Sequence, residues 1–287
     1  MIKWATSVAV TMLFAALAGC SATIDDHPLN PSFPVTFAAA DAVLADAAAH
    51  PRPLRRPLLI VGGFADPGLG SRLLRDRFRG WTGDDRVIDV SLCYDNSFDD
   101  CRRDIVAAVD SAYPTADPDR TTEVDVIGAS MGGLAARYAA IRFDGTIGGP
   151  SVGPTPRRRL RIGRLFTIGS PLRGAILADR IPLNLHPLQP GMRTGSWVYR
   201  RIEAATPSWD DLYPIYSYVR LNDDQVGPEN AAVPGATPWW LSAPAWPRPT
   251  HHASFLDHRI LADIALRLRG EAPLSHDPPT PLPPEAW

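Results

Sequence analysis

Apolar and polar positions along the chain follow two rhythms. Pro57-Leu58-Leu59-Ile60-Val61 is a continuous apolar run stopped by Gly62-Gly63, the pattern of a strand buried on both faces of a sheet. Leu69 to Phe78 has helical spacing, and Val87-Ile88-Asp89-Val90 reads as a second short strand. Asp99 to Ala112 reads as a helix with Ile105, Val106 and Val109 on one face. Glu123-Val124-Asp125-Val126-Ile127 is a third strand, followed at once by a helix-forming run from Met131 to about Arg142. Leu165-Phe166-Thr167-Ile168 and Ile215-Tyr216-Ser217-Tyr218-Val219 give two more strands. A last helix is expected from about Ala253 to Leu268, where Leu256, Ile260, Ile264 and Leu268 recur every fourth residue. Strands alternating with helices predict an α/β protein with a mostly parallel twisted sheet and helices on both faces. Connections lengthen over 171–212 and 222–251, and long insertions in such a fold form lids or pocket walls.

Both ends break this rhythm. Lys3 precedes an uncharged apolar stretch from Val8 to Leu17, too short to span a bilayer and better read as the apolar region of a secretory signal. It ends in Leu17-Ala18-Gly19-Cys20, which resembles a bacterial lipobox. That resemblance implies a signal peptide over 1–19, cleavage before Cys20 and acylation at Cys20. The expected product is an exported lipoprotein, held on the outer membrane or cell surface by its acyl chains. An ordinary signal with an incidental Cys, or an uncleaved anchor, are the alternatives. Residues 20–56 carry Pro28, Pro31, Pro34, Pro51 and Pro53 and predict a tether with one short helix over Ala38 to Ala49. A globular domain is expected over 57–270, followed by a Pro-rich, disordered tail over 271–287.

Composition narrows the partners. A chain of 287 residues with 45% hydrophobic and 21% charged residues suffices for one domain with a large core. A net charge of −2 lacks the basic footprint of nucleic-acid binding. Beyond Cys20 the cysteines are Cys93 and Cys101. In an oxidising compartment so close a pair is expected to form a disulfide, stabilising by about 2–3 kcal/mol. Two free thiols are the alternative. A metal site is not expected, because no His stands at ligand spacing from the pair.

The chemistry centres on Gly128-Ala129-Ser130-Met131-Gly132. This G-x-S-x-G lies between an apolar strand and a helix-forming run, as a nucleophile elbow requires. Its glycines let a strained Ser130 stand out above the sheet, and the Met131 N–H, at a helix start, points where an oxyanion would form. With Leu165-Phe166-Thr167-Ile168-Gly169-Ser170-Pro171 and Arg173-Gly174, the chain over about 57–269 resembles the lipase-like branch of the α/β-hydrolases. Leu172 stands where members often have His, and Ser170 is read as structural. Val61-Gly62-Gly63-Phe64 occupies the place of the family's V-H-G-x segment. The match implies the Phe64 N–H as second oxyanion donor, with Gly62 replacing the usual His.

The acid and base follow in the family's order of Ser, Asp, His. Asp224-Gln225-Val226-Gly227-Pro228 is similar to the family's Asp-x-I/V-V-P, which favours Asp224 over Asp223. His251-His252-Ala253-Ser254-Phe255-Leu256 resembles H-x-x-L-L before an amphipathic helix, which favours His252 over His251. His258 is read as a surface or packing residue within that helix. The resemblance implies a serine ester hydrolase working through an acyl-enzyme with no cofactor, on an ester with an apolar acyl group. An acyltransferase using the same residues, or a non-catalytic surface lipoprotein, are the competing readings. Trp197, Trp239, Trp240 and Trp246 are candidates for an acyl-pocket wall, for contact with a membrane surface, or for simple packing. Arg157-Arg158-Arg159 is read as a solvated loop, with anionic-headgroup binding as the lesser alternative.

Overall fold

The computed structural model describes residues 29–142, 158–205, 212–242 and 250–284. The expected signal peptide, Cys20, Arg157 and Trp246 lie outside the described residues. Among the described residues six strands form one parallel sheet in the order β2-β1-β3-β4-β5-β6. They are β1 (Leu58–Val61), β2 (Val87–Val90), β3 (Arg120–Ala129), β4 (Arg159–Ile168), β5 (Ile215–Arg220) and β6 (Trp239–Leu241). The helices are α1 (Phe37–Ala49), α2 (Leu69–Thr82), α3 (Phe98–Ala112), α4 (Met131–Ala140), α5 (Ile176–Arg180), α6 (Trp197–Ala204), α7 (Thr250–Ser254) and α8 (His258–Arg269). No described helix is long and apolar enough to cross a membrane.

Alternation along the strands builds two cores. Leu59 and Val61 of β1 join the apolar cluster under α3, α4 and α6, while Leu58 and Ile60 join the cluster under α1, α2 and α8. A strand apolar at every position is therefore buried on both faces. Parallel pairing brings all the strand C-termini to one edge, with Val61 opposite Gly128, Ala129 opposite Ile168 and Ile168 opposite Tyr218. Between β1 and β3 the chain changes direction across the sheet. Such switch points open a crevice above the strand ends.

Several expectations are corrected here. The last helix is two: α7 ends at Ser254, and α8 restarts at His258 behind an Asp257 side chain that accepts from the Arg259 N–H at 3.0 Å. His258 thus opens α8, and its Nδ1 lies 2.5 Å from Asp41 of α1. The short strand β6 lies in a connection expected to be a pocket wall. Trp239 and Trp240 are buried there, and Trp197 packs edge-on against Phe98 and Tyr138. Arg158 is paired with Asp110 and Arg159 is buried at the start of β4, so neither belongs to a solvated loop.

The Pro-rich ends are built into the fold. Asn30 Nδ2 donates to the Trp240 carbonyl at 2.7 Å, and Trp240 Nε1 donates to that of Thr280 at 2.9 Å. Ser275 is buried against Asp263, its N–H donating at 2.7 Å. Residues 271–284 are therefore no disordered tail, and residues 29–56 are no free tether. Polar groups on β6 and α8 provide the bonds that composition alone does not disclose.

Cys93 and Cys101 are free thiols rather than a disulfide. Cys101 sits in the buried stripe of α3, and its thiol is pushed well above the ordinary value by burial and by Asp95. Cys93 lies on the half-exposed loop after β2. Burial, with Asp104 beside it, pushes the Asp95 carboxyl up to about 7. An unfolded Asp ionises near 3.9, so between pH ~4 and ~7 the unfolded chain releases a proton that the folded one keeps. Stability at this site therefore falls as pH rises through that window. The melting temperature of Asp95→Asn should gain on wild type between pH 4 and pH 8 in thermal denaturation. A gap that stays constant or shrinks would refute this account.

Candidate active site

The elbow forms where β3 runs into α4. Ser130 stands between them at φ 50° and ψ −128°, a left-handed conformation that side chains rarely adopt. Two close approaches hold it there. A Cβ on Gly128 would collide with the backbone of Gly133, and one on Gly132 with the Val61 carbonyl oxygen. The Ser130 N–H donates to the Ile168 carbonyl at 2.9 Å, fastening the turn to β4. Ser170 Oγ donates to the Gly128 carbonyl at 3.1 Å, which fits its reading as structural.

The hydrogen-bond chain from Ser130 leads to His251 and Asp223. His251 Nε2 lies 2.9 Å from Ser130 Oγ, and its Nδ1 lies 2.8 Å from Asp223 Oδ2. Asp223 Oδ1 accepts from the N–H groups of Gln225 at 3.1 Å and Val226 at 2.9 Å. Both members of this pair are buried. Burial alone would raise the Asp223 carboxyl. The His251 charge and hydrogen bond and the two backbone N–H groups outweigh it and hold the group below the usual carboxylate range. An ionised Asp223 accepts a hydrogen bond from Nδ1–H, leaving Nε2 as acceptor for the Ser130 hydroxyl.

This geometry shifts both sequence assignments by one residue. Asp224 is exposed. His252 turns to Gln225, whose Nε2 lies 3.3 Å from its Nδ1, and burial together with the neighbouring His251 lowers its pKa. Counting back from Phe255-Leu256 assumes one continuous helix, whereas α7 ends before that pair. What sets the register is Thr250, whose hydroxyl donates to the Asn222 carbonyl and draws the start of α7 onto the acid's loop. The next residue, His251, then meets Asp223. Asn222 turns the chain at φ 59°, so Asp223 faces inward and Asp224 outward.

Gly169 is a site residue that sequence reasoning missed. At φ 54°, a Cβ there would stand 3.2 Å from Asp223 Oδ2 and 3.3 Å from His251 Nδ1. Its signal was a glycine at the end of β4, level with the elbow.

The remaining predicted residues adjoin Ser130. Met131 is the first residue of α4, so its N–H has no partner one turn earlier within the helix. Gly63 is so close to the elbow that its Cβ would lie 3.1 Å from that of Ser130. Phe64 follows, 40% exposed, its ring edge-on to His186 at 4.8 Å. Ser130, His251 and Phe64 line one cavity of about 160 Å³ whose other walls are mainly apolar: Pro171, Ala175, Ala178, Met192 and Val226 deep inside, Leu177 and Leu185 at the rim. Among the described residues the wall is thus mainly the stretch 171–192, and Trp197, Trp239 and Trp240 are not part of it. Among the described residues no group of three His, Cys, Asp or Glu side chains stands together as a metal site.

An imidazole bonded to a buried carboxylate on one side and a serine on the other can raise that serine's nucleophilicity. His251→Ala should slow fluorophosphonate labelling of Ser130 by at least about 10³-fold, while His252→Ala stays within about threefold of wild type. The reverse pattern would return the role to His252.

No family model and no curated protein matches the chain. Among solved structures, the mature form of a Bacillus licheniformis lipase aligns over 77% of this chain and 94% of its own, with a TM-score of 0.54 and 16% sequence identity. A likeness at that identity speaks for architecture. The chain has the α/β-hydrolase fold.

Proposed function

We propose that the protein is a serine hydrolase of carboxylic esters with an apolar acyl group. The observation that carries this reading is the unbroken chain from Ser130 through His251 to Asp223, built on a strained turn beside an apolar cavity. His251 Nε2 takes the Ser130 proton as Oγ attacks the ester carbonyl carbon. The tetrahedral oxyanion is held by the N–H groups of Phe64 and Met131. His251 then gives its proton to the departing alcohol oxygen, leaving the acyl group on Ser130. Water, deprotonated by the same imidazole, attacks the acyl-enzyme and releases the acid.

The cavity supports an apolar acyl group because its deep walls offer little for polar substrate atoms to bond. Gln189, the buried amide among them, already accepts from the Leu185 N–H and donates to the Ile181 carbonyl. We further propose that the chain is exported and anchored through acylated Cys20, a reading supported by Leu17-Ala18-Gly19-Cys20.

Ser130→Ala should lose both fluorophosphonate labelling and hydrolysis of p-nitrophenyl esters. Asp223→Asn should lower kcat by roughly 10⁴-fold through loss of the productive tautomer. Because the Asp223 pKa is depressed, its charge is complete where an imidazole titrates. The kcat/KM profile should show one acid limb, with activity lost as pH falls and the imidazole gains a proton. Wild-type protein that neither labels nor turns over simple esters would refute the reading. Separately, Cys20→Ser expressed in a bacterial host should release the protein from membranes or leave an unprocessed precursor, and unchanged mass and fractionation would refute the anchor.

A further inference from the structure

Phe64 sits in a turn that its own side chain does little to hold, since the ring is 40% exposed. The following residue, Ala65, is strained at φ 57°. The turn closes where the Asp66 N–H donates to the Gly63 carbonyl at 3.3 Å. Asp66 is in turn fastened at several points. Its Oδ1 accepts from the N–H groups of Gly68 at 3.0 Å and Gly70 at 3.1 Å, and its Oδ2 from that of Ser71 at 3.0 Å, all at the start of α2. Its carbonyl accepts from Ser91 Oγ at 2.6 Å. Gly62 belongs to the same device, because a Cβ there would stand 2.8 Å from Asp66 Oδ2.

We infer that Asp66 is a positioning residue for the oxyanion hole, its carboxylate bolting the Gly63–Asp66 turn to α2 so that the Phe64 N–H faces the carbonyl attacked by Ser130. A strained turn persists only where its surroundings over-determine it, and a carboxylate accepting three N–H bonds is a stiff fastener. The Gly in place of the family's His thereby acquires a physical meaning: it clears space for the carboxylate that supports the loop. The inference rests on the reading of Phe64 as an oxyanion donor in a serine hydrolase.

The test compares wild type with Asp66→Ala, Asp66→Asn and Gly62→Ala, all assayed well below their melting temperatures. Asp66→Ala should lower kcat on a soluble short-chain ester roughly 10- to 100-fold with KM within about threefold, less than complete loss of a donor because the N–H is misaimed, not removed. Affinity for a boronic acid, whose serine adduct mimics the tetrahedral state, should fall with kcat. Asp66→Asn keeps one acceptor oxygen and should recover most of the loss. A merely structural role would lower the melting temperature and leave kcat and boronate affinity in place, and that result overturns the inference. Should Asp66→Ala fail to fold, Gly62→Ala makes the same test by pressing its Cβ on the carboxylate. Wild type inactive on every ester would remove the parent reading and this inference together. Active wild type with indifferent variants would remove the inference alone.

Discussion

Ser130 occupies a backbone conformation that costs of order 1–3 kcal/mol, and much of the site exists to hold it there. Strain of this kind lasts only where neighbours allow no relaxed alternative. Here the neighbours are two backbone approaches too close for any side chain, Gly128 against Gly133 and Gly132 against the Val61 carbonyl. A third restraint is the Ser130 N–H bonded to Ile168. Each joins the elbow to a different element: its own helix, β1 and β4. The sheet is stiff here because β1, β3 and β4 are among its four interior strands and have apolar clusters on both faces. The apolar positions of those strands, continuous in β1, are thus the remote condition for the strained turn at Ser130.

Asp223 and His251 depend on the same sheet edge through shorter-range devices. Asp223 lies beyond the end of β5, where its Oδ1 binds the N–H groups of Gln225 and Val226 and its Oδ2 faces His251. With every oxygen engaged, the carboxylate tolerates burial that would otherwise neutralise it. The buried charge then fixes the imidazole's tautomer. Gly169 leaves room for the pair at the end of β4. Three neighbouring strands therefore carry Ser130, the space and Asp223, and α7 carries His251.

Elements with a strong period were legible in the sequence. The five runs read as strands all proved to be strands, and the strained turn from β3 into α4 lies at the serine of the G-x-S-x-G pattern, because apolar runs and glycine spacing are local properties. The Asp and His that meet Ser130 lie one position before the pair that the sequence favours. Adjacent residues in a turn point in different directions, and the choice between them depends on Asn222 at positive φ and on the hydroxyl of Thr250 reaching the carbonyl of Asn222. Neither has a periodic signature. The Pro-rich ends misled for a related reason. Composition describes what a segment cannot bury by itself, whereas these segments are ordered by partners that the sheet and α8 offer.

Those partners explain why the ends matter to the fold. β6 is an outer strand of three residues, and an open strand edge invites pairing with another chain. The N-terminal segment donates to the Trp240 carbonyl through Asn30, while the Trp240 indole donates to the Thr280 carbonyl. Ser32 joins the two segments, its N–H donating to Thr280 Oγ1 at 3.1 Å and its hydroxyl accepting from the Thr280 N–H at 2.8 Å. Prolines suit this task, since a segment that needs no ladder of its own can still offer carbonyls and occasional N–H groups to a tryptophan and a serine. β6 in turn flanks β5, the strand that leads into the loop of Asp223. The clasp formed by the two ends therefore shields the side of the sheet on which Asp223 is mounted, which ties the most weakly patterned parts of the sequence to the most exacting part of the candidate site.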